Sequence, residues 1–111
     1  MDTNPISHEP PSYHQEFQQG VNIFEESFKN YEKSTFQAQK DMYKKAMNES
    51  LDAMGKSASA LANEQLKSYK DKLAKDLNTY IQDPTKDHSN QVLSDISQMK
   101  QSWYVQWLLP K

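Results

Sequence analysis

From Phe17 onward the apolar positions fall at Phe17, Val21, Phe24, Phe28, Tyr31, Thr35, Ala38 and Met42, in alternating steps of four and three. Such a run on a 3.5-residue period, with one threonine in it, predicts a helix packed along its length on another helix. Aromatic rings at a seam suit a wide, bundle-like contact better than a tight dimer, whose seam is built from Leu, Ile and Val. Ser12 follows Pro11 and has Gln15 three positions later, the spacing of a capping box, so the helix is expected to start at about residue 13.

A second stripe, Ala62, Leu66, Tyr69, Leu73, Leu77 and Tyr80, recurs every eleven residues and predicts a nearly straight helix. Between the stripes lies a small-residue stretch, Met54 to Ala62, with Gly55 in it. Glycine costs about 1 kcal/mol inside a helix relative to alanine, so a bend near Gly55 and an unbroken helix are both open. Pro84 and its cluster of capping residues mark a loop over 83–88. Asp87 or Ser89 can cap a final helix whose inner face is Val92 or Leu93, Ile96, Met99, Trp103 and Trp107, ended by Pro110. A short connection makes this helix antiparallel to the Leu66–Tyr80 stripe and brings Trp103 towards Ala58–Ala62.

The expected organisation is therefore one helical domain over 13–109, with helices at about 13–54, 56–82 and 88–108. Its class is all-α: an elongated helical hairpin or small bundle with coiled-coil-like packing. Before it, residues 1–12, with Pro5, Pro10 and Pro11, read as a disordered polar tail.

Composition adds one constraint. Leu, Ile, Val and Phe together supply 19 of 111 residues, and the mean hydropathy is −1.01. A core that lean leaves a small monomer near the marginal end of stability, so a partner or a second copy would help.

Charge and residue usage exclude more than they suggest. All 13 basic residues are lysine, against 15 acidic residues, for a net charge of −2. Neither a cationic field nor an arginine fork is present to favour nucleic acid. No cysteine is present, which removes disulfides and thiolate chemistry. No apolar run reaches the roughly 18–20 residues that span a bilayer. Met1 to Tyr13 lacks the basic start and apolar core of a secretory signal. The expected location is cytoplasmic, or exported without a cleavable signal peptide.

Chemistry is thin. His8, His14 and His88 share no helix face at ligand spacing, so no metal site is expected. No nucleophile elbow, glycine-rich phosphate loop or H-E-x-x-H occurs, so no catalytic residue and no cofactor are expected. Asn48-Glu49-Ser50 matches a glycosylation sequon but falls inside a predicted helix.

The densest local signal is Trp103-Tyr104-Val105-Gln106-Trp107-Leu108-Leu109. One helix face cannot bury all of its apolar members. Either Trp103 and Trp107 close the core, or the outward side anchors a partner, since Trp and Tyr dominate binding hot spots. Insertion at a membrane interface would want more basic neighbours than Lys100 and Lys111. The candidate partner-binding residues are Trp103, Tyr104, Trp107 and Leu108, together with Phe17, Phe24, Phe28 and Tyr31, for which core packing competes.

A small helical hairpin behind a polar tail is loosely similar to subunits and chaperones of bacterial secretion machines, and the long polar amphipathic helices resemble granule-coating phasins. The hairpin-turn Trp-x-Gly of the small secreted WXG proteins is missing, so no functional residue is carried over. The expected function is a non-catalytic helical interaction subunit, adaptor or small chaperone of a larger assembly. The alternative is a self-assembling secreted or surface-coating helical protein.

Overall fold

The structure, a computed structural model, describes residues 12–103, with side chains through Gln101. They form four helices, α1 (Tyr13–Lys33), α2 (Gln37–Ala60), α3 (Glu64–Gln82) and α4 (Lys86–Trp103), and no strand. The all-α expectation holds. α1 packs along α2, α2 leads into α3, and α4 returns along α3 while also touching α1. Residues 1–11, read from sequence as a disordered tail, lie outside the described residues.

The predicted helix over 13–54 is two helices. Ser34 leaves the helical region with φ −74° and ψ 138°. Its hydroxyl donates to the Asn30 carbonyl at 2.7 Å, an alternative to continued helix that serine offers the backbone. Ser34, Thr35 and Phe36 then reverse the chain. The 4-3 spacing continues numerically across this break, but Ala38 and Met42 end up exposed, with Met42 at 55%. The inward stripe of α2 is instead Met47, Leu51, Met54 and Ala58. An unbroken helix over 13–54 would be about 63 Å long and would need a partner throughout. Folding back lets α2 be that partner.

Gly55 does not break α2, which runs through to Ala60. The chain turns one step later, so Ala62, expected within a helical stripe, is in the turn with φ 52°. The Ala62 N–H donates to Ser59 O and the Asn63 N–H to Ala58 O, both at 3.0 Å, the paired bonds of a Schellman ending. Asn63 Oδ1 then accepts the Leu66 N–H at 3.0 Å and caps α3, so one asparagine closes one helix and opens the next. A left-handed backbone costs a residue with a Cβ about 1–2 kcal/mol. Ala62→Gly is therefore expected to stabilise the chain by about 0.5–1 kcal/mol, read as a higher urea midpoint with unchanged slope.

α1 begins where its cap places it, with Ser12 Oγ accepting the Gln15 N–H at 3.3 Å. At α4 the cap differs from expectation: Thr85 Oγ1 accepts the His88 N–H at 3.2 Å, ahead of both Asp87 and Ser89. α4 therefore starts at Lys86, two residues before the expected 88. Val92, Ile96 and Met99 are buried and Leu93 is half-buried. The expected contact of Trp103 with Ala58–Ala62, and the helix beyond residue 103, fall outside what is described.

α1 comes close to α2 at Gly20. A Cβ there would lie 2.8 Å from Met54 Cγ and 3.2 Å from the Ser50 carbonyl oxygen. Glycine at this one position lets the backbones of α1 and α2 approach, and this offsets its weak helix propensity.

Candidate functional site

Phe17, Phe24 and Phe28 are fully buried in the intramolecular core, with Val21 between them. Phe24 and Phe28 stack with centroids 6.4 Å apart, and the edge of Tyr80 meets Phe28 at 5.1 Å. As partner-binding candidates these three phenylalanines are corrected: α2, α3 and α4 have already removed them from water, so no partner reaches them while the bundle is closed. Tyr31 is half-buried, edge-on to Tyr80 at 6.2 Å, with Lys40 Nζ 4.8 Å from its ring centre. Trp103 contributes the last described turn of α4. Tyr104, Trp107 and Leu108 lie outside the described residues.

Where α1 and α3 end and α4 begins, polar groups converge. The Glu32 carboxylate accepts hydrogen bonds from Ser89 Oγ and from the Tyr80 hydroxyl. Burial pushes the Tyr80 phenol up to about 12, and the Glu32 charge adds to the shift. A cleft of about 400 Å³ opens beside this junction, lined by Pro84, Lys86, Asn90 and Leu93 as well as these residues. His88 Nδ1 lies 2.7 Å from Asp83 O and ties the α3–α4 loop together.

Further along α4, Lys100 bonds Glu25 of α1, which Lys29 also approaches at 3.5 Å. Burial works against the Glu25 charge, but Lys100 and then Lys29 more than offset it, and the carboxyl sits below its ordinary value. Glu25 thus has one lysine a turn on in its own helix and a second across the α1–α4 contact. Asp71 meets Lys70 at 3.0 Å, and Asp41 accepts from Gln37 Nε2 at 2.9 Å.

The least ordinary group is Asp95, whose side chain is 3% exposed. Its Oδ1 accepts from Lys72 Nζ at 2.9 Å and from Gln91 Nε2 at 3.2 Å, while Oδ2 has no donor. Lys72 also bonds Asp76 at 3.0 Å, so one ammonium serves two carboxylates across the α3–α4 seam. Nothing in the apolar spacing of α4 pointed to Asp95. The available signal was its place next to Ile96 and one turn before Met99, which puts it on the edge of the buried stripe.

A cleft of about 480 Å³ lies between α2 and α3 and carries mixed charge: Lys56, Lys67 and Lys70 with Asp52, over Gly55 and Ser59. Among the described residues no three metal-ligating side chains stand together, and no helix is long and apolar enough to cross a membrane. Large apolar side chains do reach solvent, with Phe36 at 69%, Met42 at 55% and Ile23 at 51% exposure.

No family model, curated protein or solved structure matches this chain. Function must therefore be argued from the helices themselves. They offer two kinds of feature: apolar side chains left on the surface of the α1–α2 hairpin, and a polar seam that holds α4 to α1 and α3.

Proposed function

We propose that this protein is a non-catalytic helical interaction subunit, an adaptor or small chaperone of a larger assembly. The observation that supports this most is Phe36. It stands 69% exposed at the turn between α1 and α2, in a chain whose described phenylalanines are otherwise fully buried. An exposed aromatic ring at a helix-hairpin turn is a natural anchor for a partner's groove. The apolar run Trp103–Leu109 supplies a second aromatic group near the chain's end. A cytoplasmic location, or export, fits such a part, as does work beside a secretion machine.

The test is affinity capture with the full chain, with Phe36→Asp, and with a chain ended after Ser102, each checked for helicity by circular dichroism. Loss of specific partners with either change supports the proposal, and equal recovery from all three overturns it. Light scattering over a range of concentrations tests the alternative of a self-assembling structural protein. Open-ended growth would favour that alternative and remove the adaptor.

A further inference from the structure

We propose that Asp95, Asp76 and Lys72 form a latch between α3 and α4 that tightens as the pH falls. The geometry has one missing part. Lys72 Nζ bonds Asp95 at 2.9 Å and Asp76 at 3.0 Å, and Gln91 Nε2 gives Asp95 Oδ1 a second donor at 3.2 Å. Asp95 Oδ2 is buried and receives nothing. With both carboxyls ionised, two like charges share one ammonium that is itself half exposed, with 51% of its side chain open to solvent. A proton from solvent taken up by Asp95 supplies the missing donor: the new O–H can be given to the Asp76 carboxylate, while Oδ1 keeps Lys72 and Gln91. The like-charge repulsion and the unpaired oxygen are removed in one step, and α3 and α4 gain a hydrogen bond.

The surrounding groups do not reverse this. From α3 the facing charges are Lys72 and Asp76, with Lys75 acting on Asp76. From α1, Glu25 and Glu32 face α4 but are occupied by Lys100 and Ser89. His88, at the start of α4, faces Asp83. Burial, followed by Asp76, raises Asp95 above its ordinary value of 3.8, whereas Asp76 is held low, first by the hydrogen bond a protonated Asp95 would give it and then by Lys72 and Lys75. Asp95 is thus the member of the pair that takes the proton. The sign follows from linkage: a carboxyl with a raised folded-state value binds its proton more readily in the folded chain, so its contribution improves as the pH falls.

The full chain and its Asp95→Asn variant provide the test, through the carbon-13 carboxyl titration of Asp95 and amide exchange in α4. Asp95 is expected to titrate above 3.8. In Asp95→Asn the amide replaces the proton permanently, so α4 should open about five- to tenfold less often than in the parent near neutral pH. That gap should close as the pH falls through the raised Asp95 value and the parent takes up its proton. His88 is present in both chains and cancels in the comparison. A midpoint at or below the ordinary value, or a gap independent of pH, overturns the latch. If the variant does not fold, the titration in the parent decides.

Discussion

Phe28→Ala is expected to lower the unfolding free energy by about 3–5 kcal/mol, the usual cost of deleting a fully buried aromatic ring. Phe28 has no exposed surface and sits between Phe24 and Tyr80, with the Tyr80 ring centre 5.1 Å away. Since domains of this size are stable by about 5–15 kcal/mol, the change removes a large share of the total. Urea unfolding followed by circular dichroism measures it. Phe36→Ala is the control: Phe36 is 69% exposed, and its removal should move stability by no more than about 0.5 kcal/mol. Equal effects from the two changes would contradict the assignment of Phe28 to the core and Phe36 to the surface.

Lys72→Met should be the next most damaging. It strands the Asp95 charge, 3% exposed, beside Asp76 with only Gln91 as donor. Removing one member of a buried pair typically costs about 3–5 kcal/mol, and the half-exposed lysine brings the expectation down to about 2 kcal/mol. The loss should depend on pH in a defined direction. Without Lys72 the Asp95 charge is penalised further, so the loss is complete above the raised folded-state value. It shrinks as the pH falls through that value towards 3.8, the ordinary value for the carboxyl. Adding Asp95→Asn to Lys72→Met should restore most of the stability, because the stranded charge is gone. A double-mutant cycle of thermal melts reads this coupling. Additive losses would show that the lysine acts through its aliphatic stem and not through its charge.

Much of the fold was legible in the residues, and the failures have local causes. The α1 stripe Phe17, Val21, Phe24 and Phe28 and the α3 stripe Leu66, Leu73, Leu77 and Tyr80 are buried as their spacing required. The Ser12 cap is also where the sequence put it. The break at 34–36 was hidden because no proline or glycine marks it, and because a three-residue turn happened to preserve the heptad count. Ser34 and Thr35 were the available signal, and it is weak: such residues are tolerated inside helices when packing demands it.

The candidate sites fared differently for a related reason. Periodicity identifies a stripe that must be covered, but not what covers it. Phe17, Phe24 and Phe28 were offered to a partner on the same evidence that would place them inside, and the chain's own α2, α3 and α4 took them. Asp95 escaped notice because a carboxylate next to an apolar stripe is ordinarily solvated, and only the approach of Lys72 from a residue 23 positions away makes it internal.

The amino-acid sequence alone determined that the chain is helical, which edges of the first and third helices face inward, and that arginine- and cysteine-dependent chemistry is excluded. These follow from side-chain type and spacing, which act over one or two turns. The tertiary structure decided where the first helix folds back, which glycine matters, and which acid is buried. Those depend on contacts between residues far apart in the chain: Gly20 with Ser50 and Met54, Lys72 with Asp95, and Glu25 with Lys100. Their energies exist only once two helices are already side by side.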